Sequence, residues 1–277
     1  MDKLEIFKSI AEQVAHGELA FPTNVSASLK IQKTLNDPDC TIENAAKLIQ
    51  AEPLLSARVV AIANSVAFNR AGNEVTTVRA ALTRVGFRTM RTLASAVVVR
   101  QFGSKVADPA LHIKSVQLWE HTAHVAALAQ VLARRLTKLD PETAMFAGLM
   151  HEIGGFYLLS RAEEFPGLLD GDIDEWGTDG ETEVGRAVLQ KLVVPDAVVE
   201  AVESLWLGFR VLPPKRLGDI LLLANDLAPV ASPLDQREGA SAEDCAVSID
   251  FASGEGTLSG ILEESAEEVR SLTAALL

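Results

Sequence analysis

Apolar positions along this chain recur mostly three and four residues apart, the spacing that lines side chains along one face of an α-helix. Leu4, Phe7, Ile10, Ala11 and Val14 form the first such stripe, and Gly17 supplies a stop. Val25, Leu29, Gln32 and Leu35 form a second, ended by the polar run NDPD. Thr41 is placed to cap a third helix, IENAAKLIQAE. Pro53 suits the first turn of a fourth, PLLSARVVAIANS, in which Leu55, Val59 and Ile62 share a face. Val78, Ala81, Leu82 and Val85 align up to Gly86, and FRTMRTLASAVVVRQF begins the next helical run. Within it SAVVV has the β-branched character of a strand, but no partner run of that character lies nearby, so the pattern predicts a buried helix.

The pattern weakens over GSKVADPALHIK and resumes as a long predicted helix over 115–136. Asp140 and Pro141 then suit the cap and first turn of a helix carrying His151 and Glu152 near its C-terminal end. Further helices are expected over 184–207 and 215–228. The acidic stretch DGDIDEWGTDGETE reads as an exposed loop without the ligand spacing of a calcium loop. The Pro/Ser/Gly/Asp-rich stretch 229–256 reads as a loosely packed connection, after which a terminal amphipathic helix docks through Leu258, Ile261, Leu262, Val269 and Leu272. The expected fold is an all-α multi-helix bundle: an N-terminal lobe over 1–108, a second helical lobe over 109–228, and a linker with a docking helix over 229–277. The lobes are expected to meet near residues 103–115.

Composition supports this picture, since 48% of the 277 residues are apolar yet only one is tyrosine, a mix suited to close-packed helices. The formal net charge of −13 argues against nonspecific polyphosphate binding, so nucleic acid is not an expected partner. Cys40 and Cys245 stand far apart and form no CxxC pair, which fits a cytoplasmic chain without disulfides. The opening segment lacks the apolar core of a signal peptide, and ILLLANDLAPV falls far short of the roughly 20 residues that span a bilayer. A soluble chain without membrane contact is expected.

Candidate chemistry centres on FAGLMHEIGGFYLL. No histidine follows His151 one helical turn on, which excludes the common zinc-protease arrangement. His121 and His124 lie three apart on an earlier helix, so two adjacent helices can bring His121, His151 and Glu152 together as a partial ligand set for a divalent metal. His124 reads equally as a core residue beside Val125 and Leu128. No Lys or Arg occurs between Met145 and Ser160 to neutralise a phosphate. The same residues also fit a purely structural role, an imidazole bonded to a carboxylate that holds two helices in register. Arg79, Arg84, Arg88, Arg91 and Arg100 make one region locally basic, either a solvated face or a surface for an acidic protein or a nucleotide.

Four segments together resemble the HDOD (HD-related output domain) family, a regulatory branch of the histidine-aspartate metal-dependent phosphohydrolase superfamily. They are LNDPDCTIENAAKLIQAEPLLSARVVAIANSVAFN, VTTVRAALTRVGFRTMRTLASA, LWEHTAHVAALAQVLARR and PETAMFAGLMHEIGGFYLL, and the resemblance spans residues 20–228. It implies an all-α fold and a role in bacterial signal transduction. It also implies metal ligands at His121, His151 and Glu152, the last in place of the superfamily's aspartate. A later ligand histidine corresponds to Glu181, a histidine pair to Leu205 and Trp206, and the closing aspartate to Asn225. Asp226 is adjacent, but one step along a helix turns a side chain by about 100°. The basic residue that active members carry after the doublet corresponds to Gly155.

The expectation is therefore a noncatalytic output or protein-interaction module with signalling partners in trans, or with a nucleotide second messenger as its input. It has no catalytic residues and no cofactor, and at most weak divalent metal binding at His121, His151 and Glu152. The alternative is a metal-dependent phosphohydrolase or cyclic-nucleotide phosphodiesterase that uses those three residues. A nucleic-acid binder is a distant third, because the arginines come without an aromatic-basic stripe.

Overall fold

The computed structural model describes residues 3–16, 30–31, 33–103, 106–169, 180–209, 211–234, 246–247, 249–250 and 257–277. Among them are eleven helices of nine residues or more and no strand. In chain order they are α1 (Lys3–Ala15), α2 (Ile42–Gln50), α3 (Pro53–Asn64), α4 (Val78–Gly103), α5 (Pro109–Leu136), α6 (Pro141–Met150), α7 (Ile153–Arg161), α8 (Glu181–Lys191), α9 (Asp196–Leu207), α10 (Leu217–Asp226) and α11 (Thr257–Leu276).

Local chemistry sets most of these boundaries. The Thr41 side chain accepts from Asn44 N, and that of Asp140 from Thr143 N, each satisfying a helix donor that has no partner within the helix. Pro53 and Pro141 open α3 and α6, where their missing N–H costs nothing. Gly86, at φ 79°, breaks α4 at the expected point, and Val97, Val98 and Val99 lie buried in its second half. Asn64 bonds both backbone groups of Val75, closing the turn after α3.

Three boundaries differ from expectation, each for a visible reason. Asp108 caps Ala110 N and Leu111 N, and with Pro109 at the first turn it starts α5 six residues ahead of Ser115. The expected helix over 184–207 is two helices, because Val193 turns to φ 54° and Pro195 has no N–H to continue the ladder. The helix carrying the His-Glu pair ends at Met150, so His151 is the C-cap of α6 and Glu152 the N-cap of α7.

The alanine-rich α5 is the central post, in contact with α6, α10 and α11. Gly148 of α6 lies so close to it that a Cβ there would stand 2.5 Å from Ala126 Cα. α4 leads out of the first lobe and packs on both α6 and α7. Although the described helices break between Gly103 and Pro109, one apolar core runs through both lobes. α11 seats Leu258, Leu272 and Leu276 in that core, with Leu262 and Val269 packed against it. Arg58 of α3 donates to the carbonyls of Leu276 and Leu277 and lies over the Trp119 ring, fastening the last turn of α11.

Among the first residues of the expected loose connection, Ser232 and Leu234 are buried while Pro229 and Ala231 are exposed. The rest of that stretch over 235–245 and 251–256, the positions Val25, Leu29 and Gln32, the acidic loop over 170–179, and Cys245 lie outside the described residues. No described helix is long and apolar enough to cross a membrane.

Candidate functional site

α5, the α6–α7 junction and α10 converge on one polar cluster inside the apolar core. His121 of α5 is 2% exposed, His151 is fully buried and Glu152 is 6% exposed. The close approach of Gly148 to Ala126 brings the two histidines together, their rings tilted at 57° and their Nε2 atoms 3.1 Å apart. Asn225 Oδ1 from α10 stands 3.1 Å from His121 Nε2, and Glu152 Oε1 lies 3.9 Å and 3.8 Å from the two Nε2 atoms.

The outer ring nitrogens determine what this cluster can hold. His121 Nδ1 meets the carbonyl of Val230 and His151 Nδ1 that of Gly148, each at 2.7 Å. A carbonyl only accepts, so both Nδ1 atoms carry the hydrogen and each neutral ring turns an Nε2 lone pair inward. Two lone pairs at hydrogen-bonding distance require a cation between them. The Glu152 carboxylate stands where it would balance that charge.

Glu152 is tuned for that role. Burial pushes its carboxyl upward, but the charges on His151 and His121 and hydrogen bonds with Glu181 and Ser232 outweigh it, so the group is held below the usual carboxylate range. The carboxylate thus adds stability that is complete above its unfolded value of about 4.3 and is lost as pH falls through the folded one.

A divalent ion would fit the same atoms. At metal–imidazole bond lengths of about 2.0–2.1 Å, one ion would reach both Nε2 atoms across their 3.1 Å separation. His121, His151 and Glu152 place their ligand atoms within 4.8 Å of one another, and Asn225 adds a neutral oxygen.

The cluster is roofed by the chain that follows α10. Val230 provides the carbonyl for His121, Gln117 donates to Ala231 O, and Ser232 and Leu234 are both buried. Leu234 lies against Gly155, where a Cβ would overlap its side chain. An aliphatic group thus fills the space beside Gly155. Gly154 and Gly155 also admit the start of α8. A Cβ on Gly154 would stand 2.8 Å from Glu181 O, and one on Gly155 would stand 3.7 Å from Glu181 Oε1.

The expected site residues are thus distributed unevenly. His121, His151, Glu152, Glu181 and Asn225 come together. Trp206 instead packs against Gly185 and under Arg186, and Leu205 is half-buried against the core. His124 bonds the carbonyl of Glu120 within its own helix. The two backbone carbonyls, Ser232 and Leu234 carried no sequence signal: a carbonyl has no residue preference, and the other two sit in a stretch that reads as linker.

The five arginines do not form a single patch. Arg79 pairs with Glu43, and Arg84 binds the carbonyls of Ala63 and Asn73. Arg88 pairs with Asp140, Arg91 holds the carbonyl of Leu35, and Arg100 reaches the carbonyl of Leu277 and stacks on Trp119.

Comparison with known proteins agrees with this fold. The sequence matches the HDOD domain over residues 21–205. A search of curated proteins finds no match. Among solved structures, a protein from Shewanella amazonensis titled "Putative metal-dependent phosphohydrolase" aligns at TM-score 0.77 and 22% identity, over 99% of both chains. An HDOD domain protein with unknown function from Geobacter sulfurreducens aligns at TM-score 0.63 and 20% identity, also over 99% of both chains. A protein from Marinobacter aquaeolei titled "Putative signal transduction protein" aligns at TM-score 0.59 and 16% identity, over 99% of this chain and 66% of that one. At these identities the neighbours establish a shared fold.

Proposed function

We propose that this chain, which belongs to the HDOD domain family, is a noncatalytic signal-transduction module acting in the cytoplasm through protein partners in trans. In this reading the inherited cluster serves as an internal brace. The observation that carries it is the roof: Leu234 lies against Gly155 and the Val230 carbonyl holds His121, so the segment after α10 closes over the space in which a phosphoester and its counter-charge would sit. Phosphoryl chemistry draws on positive charge placed around the developing oxyanion, and MHEIGGFYLL supplies none. Asn225 in place of a carboxylate removes further negative charge from the ligand set.

One observation favours the metal-dependent phosphohydrolase as a second reading, namely the convergence of His121, His151, Glu152 and Asn225 at distances that suit one divalent ion. When bound, such an ion would supply Lewis-acid chemistry, with these four residues holding it.

A turnover assay separates the two readings. The purified chain is offered cyclic nucleotides, nucleoside triphosphates and generic phosphodiesters with manganese, iron or nickel, beside His151→Ala and Glu152→Ala. The module reading predicts no turnover in any of the three proteins. Turnover near about 1 per second that disappears in both variants would establish the hydrolase and overturn the module.

A further inference from the structure

A second polar cleft, of about 320 Å³, opens between the lobes at the amino end of α6. The His-Glu cluster stands at the other end of that helix, about 15 Å away by the rise of ten residues. The cleft is lined by Arg88, Arg91 and Thr92 of α4, by Glu142, Thr143 and Phe146 of α6, and by the start of α9.

Three independent features there favour an anion. First, each guanidinium carries five N–H donors, and the bonds of Arg88 to Asp140 and of Arg91 to Leu35 O use only part of that capacity. Second, α9 starts at Asp196 after Pro195 with no side-chain cap, and although Val198 N and Val199 N bond the Pro195 carbonyl, the positive end of a twelve-residue helix stands at the cleft. Third, the Thr92 hydroxyl lines the cleft on a residue only 2% exposed, and among the described residues it has no hydrogen-bond partner. Ser95, one turn further along α4, returns its hydroxyl to the carbonyl of Arg91 instead. The Thr92 oxygen is not sealed off from the cleft, so a ligand oxygen can pair with it there. The rim adds strain: Val193 holds φ 54°, a region that β-branched residues avoid, and such outliers cluster at functional sites.

The rest of the lining indicates what the anion is attached to. Phe146 offers a half-buried aromatic face, and Glu142 an acceptor that suits an exocyclic amine. The volume is at the small end of ligand pockets. We propose that this cleft binds a mononucleotide, its phosphate between Arg88, Arg91, the Thr92 hydroxyl and the start of α9, and its base on Phe146 with an amine toward Glu142. The site would give the module a small-molecule input that bears on both lobes, and it is independent of whether the His-Glu cluster turns over substrate.

Calorimetric titration of the full chain tests this with AMP, GMP, CMP, UMP and inorganic phosphate as probes, on wild type, Thr92→Val and Arg91→Met. Thr92→Val keeps the shape and removes only the hydroxyl, so its melting temperature should equal or exceed that of wild type while nucleotide affinity falls about tenfold, one charge-assisted hydrogen bond. Arg91→Met should weaken binding further, and inorganic phosphate should bind more weakly than any bound nucleotide. No binding by any probe at millimolar concentration would overturn the proposal. So would affinity unchanged in both variants, which places the site elsewhere, or phosphate binding as tightly as the nucleotides, which removes the base from the recognition.

Discussion

At His121 and His151, the nitrogen already bound to a carbonyl decides the chemistry of the cluster. Because each Nδ1 is committed to a backbone oxygen, the inner nitrogens and Asn225 Oδ1 present acceptors to one point, with Glu152 adding negative charge. Asn225→Asp should therefore shift the balance from proton to metal. Without metal, the variant is expected to be less stable than wild type, since it adds a buried like charge beside Glu152. With added zinc or nickel, its melting temperature should rise more than that of wild type. Thermal unfolding with and without metal checks both parts; an equal metal response in the two proteins would show that Asn225 does not face the cation. How much of this was legible residue by residue follows from chemistry. His121, His151 and Glu152 announce themselves because imidazoles and carboxylates are scarce in apolar helices. Asn225 and Glu181 were reachable only through the family resemblance. The carbonyls of Gly148 and Val230 were not legible at all, since any residue supplies them.

Among the elements, α6 carries the greatest constraint, capped by Asp140, pressed against α5 at Gly148 and ended by His151. Gly148→Ala must push α6 off the Ala126 backbone, an overpacking change that should cost about 1–3 kcal/mol; a urea unfolding curve measures it, and a neutral result would mean that α5 and α6 yield easily. Asp140→Ala removes the cap and should cost about 1 kcal/mol at neutral pH. Burial raises the Asp140 carboxyl, but hydrogen bonds from Thr143 and the Arg88 charge outweigh that and hold it below its ordinary value. Its stabilisation is therefore complete above its unfolded value of about 3.9 and disappears as pH falls through the folded one. The gap between wild type and Asp140→Ala should close in that acid range, which unfolding curves across pH will show. Elements whose ends are written in side chains, such as Thr41, Pro53, Gly86 and Asp140–Pro141, were legible in the sequence. The junction at His151–Glu152 was not, because tertiary packing rather than a breaker residue ends α6. The Leu192–Pro195 break was missed although Pro195 marks it, since the apolar residues around it sustain a helical pattern.

For the whole molecule, a single apolar core joins what the sequence divides into two lobes, with α4 and α11 crossing between them. Polar chemistry interrupts that core at the His-Glu cluster, where the segment after α10 closes over it. Leu234→Ala should open this roof at a cost of about 2–5 kcal/mol, read as earlier unfolding in urea.

The central claim is that the cluster holds α5, α6, α7 and α10 together without a metal ion. The most direct measurement is equilibrium urea unfolding of wild type and His151→Ala, each with and without a strong chelator. The brace predicts that the chelator leaves the wild-type curve unchanged, while His151→Ala loses about 3–5 kcal/mol, the cost of breaking one partner out of a buried charged pair. A chelator that lowers wild type to the level of the variant would contradict this and place a structural metal at the centre; a variant as stable as wild type would show that the cluster braces nothing.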